Sequence, residues 1–365
     1  MADLFDYIHW RGDLSFMQDP PNEIDALVFS ALAYIRFGGE VETRPGNPIP
    51  LSTATAAFFA LPDHKERVRV KEDLELLQAL ASTQRFGSAK LCHYRDILIP
   101  QEDTQFAAVT FLLDDGSAFL AFRGTDYSLV GWKEDFNMSF QLTVPAQRLA
   151  LQYTQEIAAQ HLMPLWLGGH SKGGNLAMFA AIHGSDSLRR RILGVFNNDG
   201  PGFREHVTQN PAYEEMVPRL HTYVPQSSVI GLLLEHEEPF TIVKSRQLGI
   251  LQHELYTWEL NGPEFEIVEE LTADSRFLNM TIHNWLDDMT VLDRNDAVEA
   301  IFDLLEAGDV ENISDILKPQ NMLNYLKTMN RDEKIRRILG GEFLSLIEAA
   351  RKTKTQQDAI QLDTP

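Results

Sequence analysis

The sequence predicts an α/β fold: a mostly parallel sheet with helices on both faces, extended by helical segments at its N- and C-terminal ends. Three observations predict it. Between about residues 90 and 260, short β-type runs alternate with helical runs, the pattern of parallel strands joined by crossover helices. Before residue 88 and after about 275, apolar residues recur with helical spacing. Within the alternating part, the apolar run Leu165–Leu167 leads through Gly168-Gly169-His170-Ser171-Lys172-Gly173-Gly174 into a small-residue helical run.

Residues 1–88 read as a helical N-terminal extension packing on the core. Asn22 is placed to cap a helix whose stripe holds Ile24, Leu27, Val28, Ala31, Leu32 and Ile35. Glu72 to Ala81 gives a second helix with Leu74, Leu77 and Leu80. Residues 89–270 read as the α/β core. Ala107–Leu113 and Ala118–Phe122 are strands, and Asp114-Asp115-Gly116-Ser117 between them is a hairpin turn. Gln147 to His161 is helical and Pro164 ends it. Strands follow at Leu165–Leu167, Ile192–Phe196, Leu220–Val224 and Phe240–Val243, with a helix over Gly173–His183. Residues 271–365 read as a helical C-terminal extension or lid. Asp293 is placed to cap a helix carrying Val298, Ile301, Phe302 and Leu305, with Gly308 past its end. Two shorter helices follow, broken near Pro319 and Gly340-Gly341, and the tail from about Lys354 is polar.

Composition narrows the function classes. The chain has 365 residues, ordinary hydrophobic content and a net charge of −21. That charge opposes a nucleic-acid partner, which needs a basic stripe to track phosphates. No apolar run approaches the length of a membrane span, so no integral membrane contact is expected. The single cysteine, Cys92, rules out an internal disulfide. With no basic and apolar leader at the start, a cytoplasmic home is expected. The sequence has no phosphate loop, no His-Glu-x-x-His, no Cys-x-x-Cys pair and no dinucleotide fingerprint, so no metal or organic cofactor is expected.

The chemistry sits at Gly169-x-Ser171-x-Gly173. In a strand–turn–helix setting this spacing holds a serine on a turn so tight that Oγ stands out above the sheet. The amide of Lys172, at the helix start, faces the place where negative charge would form. The bland alternative is a structural turn. The Lys172 side chain is expected to be solvated.

Phe122-Arg123-Gly124-Thr125, then Trp132 and Asp135, then Gly169-His170-Ser171-Lys172-Gly173-Gly174, resemble the class 3 lipases of the α/β-hydrolase superfamily. The layout also resembles an uncharacterised bacterial lipase-like family of unknown function. The resemblance implies a serine hydrolase with Ser171 as nucleophile. It implies a second oxyanion donor at Thr125, through its amide and its hydroxyl, opposite Lys172. It implies the order serine, acid, histidine. Of the eleven histidines, His253 occupies the place of the base, with His283 and His236 in reserve; His170 is expected to pack. The acid departs from the lipase pattern. Pro225-Gln226-Ser227-Ser228-Val229 carries no carboxylate, which leaves Asp199 one strand earlier, although Asp-Gly-Pro-Gly also makes a good turn without chemistry. Phe58, Phe59, Phe203, Leu232, Leu233 and Leu234 are candidates for an acyl pocket or plain core. The expected partner is a small acyl or ester compound. The competing reading is a non-catalytic protein that keeps the fold for binding or scaffolding.

Overall fold

A computed structural model describes residues 2–38, 41, 47–126, 128–306, 324–325, 327–329 and 331–362. Eight strands form one sheet: β1 (Ile49–Pro50), β2 (Lys90–Ile99), β3 (Thr104–Leu112), β4 (Ala118–Phe122), β5 (Leu165–His170), β6 (Ile192–Asn198), β7 (Leu220–Pro225) and β8 (Phe240–Val243). Their order across the sheet is their order in the chain. The first four strands pair antiparallel and every pairing from β4 to β8 is parallel. Connection length decides which. The Asp114–Ser117 turn can only reverse the chain, with Gly116 at φ +84°. The links from β4 onward are long enough to return to the same end, several of them through helices.

Alternation along the strands separates two apolar layers. In β4, Phe119 and Ala121 face one side, while Ala118, Leu120 and Phe122 face the other. The first side is covered by the N-terminal segment. Phe29 of the Glu23–Leu32 helix packs on Phe111 and Phe119 with ring centroids 4.7 and 4.8 Å apart. The Asn22 cap is present, its side chain accepting from the amides of Ile24 and Asp25. This helix is buried all round, not on one stripe, because it lies between the sheet and further helices. Its Asp25 is therefore paired with fully buried Arg85 at 2.5 Å. The second side is covered by the Pro145–Gln160 and Lys172–Ile182 helices.

The C-terminal helices Ala273–Asp287, Val291–Glu306 and Glu333–Leu362 correct two expectations. Thr290, not Asp293, opens the second of them. The Thr290 hydroxyl accepts from the Asp293 amide and the Asp293 carboxylate accepts from the Thr290 amide, so Asp293 is the inner half of a capping box. Gly340-Gly341 breaks nothing, since the last helix runs through both. Two glycines cost about 1 kcal/mol each in a helix, less than a long helix loses by stopping. The expected features at Gly308 and Pro319 lie outside the described residues. Among the described residues, no helix is long and apolar enough to cross a membrane.

Candidate functional site

Four segments meet at the carboxyl ends of the parallel strands, where open α/β sheets gather their sites. Ser171 follows β5, Asp199 follows β6, His253 lies beyond β8, and Arg123-Gly124-Thr125 follows β4. Ser171 adopts φ 58° and ψ −136°, a conformation that costs a non-glycine residue of order 1–3 kcal/mol. The turn demands it. A Cβ on Gly173 would lie 2.1 Å from the Phe122 carbonyl oxygen, and one on Gly169 would lie 2.3 Å from the Gly173 backbone. Strand and helix therefore approach through glycine alone, and the serine takes the strain. It is 8% exposed.

Asp199 also has positive φ, at 55°, and is fully buried. Its Oδ2 lies 2.6 Å from Nδ1 of His253. Its Oδ1 accepts from the Ser228 hydroxyl at 2.5 Å and from the Gly231 amide at 3.1 Å. Three donors around the carboxylate fix its direction. The His253 ring donates to it from Nδ1, and Nε2 is the nitrogen turned away from the carboxylate. The segment after β7, which lacks a carboxylate, thus contributes Ser228 as a ligand to the aspartate of the neighbouring strand.

His170 does more than pack. It is buried, and its burial together with nearby His253 holds its pKa well below the ordinary histidine value. The neutral ring bridges two elements. Nε2 lies 2.7 Å from the His253 carbonyl oxygen, so it is the nitrogen that donates. Nδ1 lies 2.9 Å from the Tyr34 hydroxyl and accepts from it. The rings of His170 and His253 lie 4.5 Å apart, so the histidine beside Ser171 carries His253 against it. The next residue, Glu254, is held by Arg69, with one contact of 2.6 Å. Arg69 in turn lies over the Tyr34 ring. Sequence reasoning did not single out Tyr34, Arg69 or Ser228. Each acts through a partner far away in the chain, and no local pattern marks it.

On the other side, the Leu129–Asn137 helix backs the Thr125 turn. The Thr125 hydroxyl donates to Asp135. With its one proton committed there, the hydroxyl expected to face an oxyanion is not the donor, and the backbone amide remains. Arg123 makes two contacts with Asp96, at 2.7 and 3.1 Å, tying the end of β4 to β2. The expectation of a solvated Lys172 is overturned. Its side chain is 1% exposed, with Nζ 3.0 Å from Glu134 and 3.4 Å from Asp135. Burial opposes the charge, but Asp135 and buried Glu134 outweigh it and hold the ammonium's pKa above the ordinary lysine value.

The reserve histidines lie elsewhere. His236 pairs with Glu238 at 2.9 Å, and His283 meets the Leu232 carbonyl at 3.2 Å. Phe58 packs in the core against Phe37 and Phe59, and Phe203 against Phe179 and Tyr213. Leu232 lies where the Ala273–Asp287 helix docks, its carbonyl accepting from Asn279 as well.

Comparison with known proteins shows the family of the chain. A family model described as Mbeg1-like matches residues 80–303. No curated protein matches the sequence. Among solved structures, the chain is similar to the Rhizomucor miehei lipase propeptide complex at 13% identity, covering 60% of this chain and 66% of that one, with a TM-score of 0.36. The matched region thus spans just under two thirds of that lipase. It is similar to a mutant form of MDLA from Penicillium cyclopium at 12% identity, covering 67% and 83%, with a TM-score of 0.37. It is also similar to a fungal lipase–inhibitor complex at 14% identity, covering 60% and 77%, with a TM-score of 0.35.

Proposed function

The chain belongs to the Mbeg1-like family, a lipase-like family, and on that footing we propose that it is a cytoplasmic serine hydrolase cleaving an ester or related acyl bond of a small molecule. The observation that carries this reading is the 2.6 Å contact between Asp199 and Nδ1 of His253, with Ser171 held at positive φ on the turn after the neighbouring strand β5.

Ser171 Oγ attacks the acyl carbon and its proton passes to Nε2 of His253. Asp199 holds the tautomer that leaves Nε2 basic and stabilises the imidazolium that forms. The oxyanion is received by the amides of Lys172 and Thr125. Lys172 opens its helix, so its amide has no carbonyl one turn earlier to bond. Collapse of the tetrahedral species breaks the bond to the leaving alcohol, which takes the proton from His253. Water then adds to the acyl-enzyme by the same route, releasing the acid and restoring Ser171. Water is the only co-reactant the balance requires.

The test is covalent labelling. A fluorophosphonate probe is expected to modify the chain at one position, mapped by peptide mass to Ser171, and Ser171→Ala is expected to abolish both labelling and turnover of short-chain aryl esters. A folded wild-type protein that takes up no probe and turns over no ester returns the chain to the non-catalytic reading.

A further inference from the structure

Lys172 is placed unlike an ordinary residue at the start of a helix. Its amide is the first of the serine helix, while its side chain runs back through the interior to the Leu129–Asn137 helix. There Nζ meets Glu134 Oε2 at 3.0 Å, Asp135 Oδ1 at 3.4 Å and the Gln105 carbonyl at 3.3 Å.

The two carboxylates are not equivalent. Glu134 is committed to the backbone: Oε2 also accepts from the Gln105 amide at 3.0 Å, and Oε1 accepts from the Ala146 amide at 2.8 Å. Among the described residues, Asp135 has one hydrogen-bond donor, the Thr125 hydroxyl, on Oδ2. Among the described residues its buried Oδ1 has no hydrogen bond, and the Lys172 ammonium lies 3.4 Å from it. Gly131 lets this helix approach Thr125, since a Cβ there would lie 2.7 Å from Thr125 Cγ2.

We propose that the Lys172 side chain is a positioning residue for the reaction: by balancing Asp135 it keeps that carboxylate an acceptor for the Thr125 hydroxyl, and so fixes the Thr125 amide opposite its own. One residue thereby supplies one oxyanion donor directly and aligns the other through two side chains. Burial already pushes the Asp135 carboxyl up and Lys172 opposes that shift, so without the ammonium the carboxyl, left beside Glu134, takes up a proton more readily. A protonated Asp135 donates where it formerly accepted. The Thr125 hydroxyl must then turn, and the Arg123–Asp126 segment shifts with it. A displacement of a few tenths of an ångström at a preorganised donor is felt directly in the rate.

The inference rests on the serine-hydrolase reading, and the experiment separates the two. Second-order labelling by a fluorophosphonate probe and the kcat and KM for 4-nitrophenyl butyrate are measured on wild type, Lys172→Met, Asp135→Asn and the double variant. Removing one oxyanion donor outright costs about 100- to 1000-fold. Misaligning one by Lys172→Met is expected to slow labelling and kcat by about 10- to 100-fold, with KM little changed. Asp135→Asn in the Lys172→Met background is expected to restore most of the loss, because the amide oxygen accepts from Thr125 without a charge to balance. A purely structural lysine predicts no rescue. Wild type labelled at the same rate as Lys172→Met, or a double variant no better than the single, overturns this role and leaves the hydrolase reading intact. Wild type that is not labelled sinks both. If Lys172→Met does not fold, Thr125→Val cuts the same chain at its other end. It is expected to slow labelling by a similar factor, and an unchanged rate there overturns the proposal.

Discussion

At Ser171 the strained backbone is itself measurable. Glycine adopts positive φ freely, so Ser171→Gly is expected to raise the unfolding free energy by about 1 kcal/mol. Ser171→Ala keeps the strain and is expected to leave Tm nearly unchanged. Thermal melts of the two variants check this. At His170 the sign of the pH dependence follows from burial. The folded chain keeps this ring neutral, because its pKa is held well below 6.5, while the unfolded chain binds a proton as pH falls through that value. Its contribution is complete above about pH 6.5 and is lost as pH falls below it. In urea titrations at about pH 5.5 and about pH 8, wild type is expected to lose more stability on acidification than His170→Phe. At this scale the sequence discloses residues whose role is local and conceals those whose role is long-range. Ser171 is legible because five consecutive residues build its turn. The burial of Lys172 is not, because Glu134 and Asp135 lie nearly forty positions away. Nothing in Ser227-Ser228 announces that the second serine holds Asp199.

Among the elements, glycines in two settings give opposite expectations. Gly173→Ala sets a methyl 2.1 Å from a main-chain oxygen that belongs to β4 and has no room to withdraw. A loss of more than about 2 kcal/mol is expected, or failure to fold. A Cβ on Gly340 or Gly341 meets nothing within 4 Å. Gly340→Ala and Gly341→Ala are therefore expected each to stabilise by about 0.5–1 kcal/mol. Denaturation midpoints decide both. Elements were legible where pattern and punctuation agreed. Strands β4 and β8 run as the alternation reads, Ala118–Phe122 and Phe240–Val243. The sequence does not single out β2, because Lys90–Ile99 mixes His93, Arg95 and Asp96 into its apolar residues, and the ladder to β3 slips between Cys92 and Arg95. The double glycine misleads in the other direction. A breaker signal describes a cost, and the packing of the Glu333–Leu362 helix decides whether it is met.

On the scale of the molecule, the C-terminal helices grip both sides of the site. Ser275 donates to the Ser228 carbonyl at 2.6 Å, on the loop that holds Asp199. Phe302 packs on Phe136 with ring centroids 6.0 Å apart, on the helix that holds Thr125. Phe302→Ala is expected to cost about 3 kcal/mol, to open the region after residue 271 to proteolysis, and to broaden the range of ester chain lengths accepted. An unchanged digest and an unchanged chain-length profile would show that these helices do not bear on the site. The strict strand order carries a consequence for synthesis. Each strand from β2 onward joins the sheet beside the one made just before it, so the nascent sheet grows at a single edge as the ribosome feeds it. Ser171 is laid down on its turn early, beside β4, but its histidine emerges only after three more strands. Until residue 253 is out, the chain holds Ser171 without His253 and an exposed growing edge. A ribosome stalled in that interval holds a product whose open edge can pair with a neighbour while the proposed hydrolytic site is still incomplete.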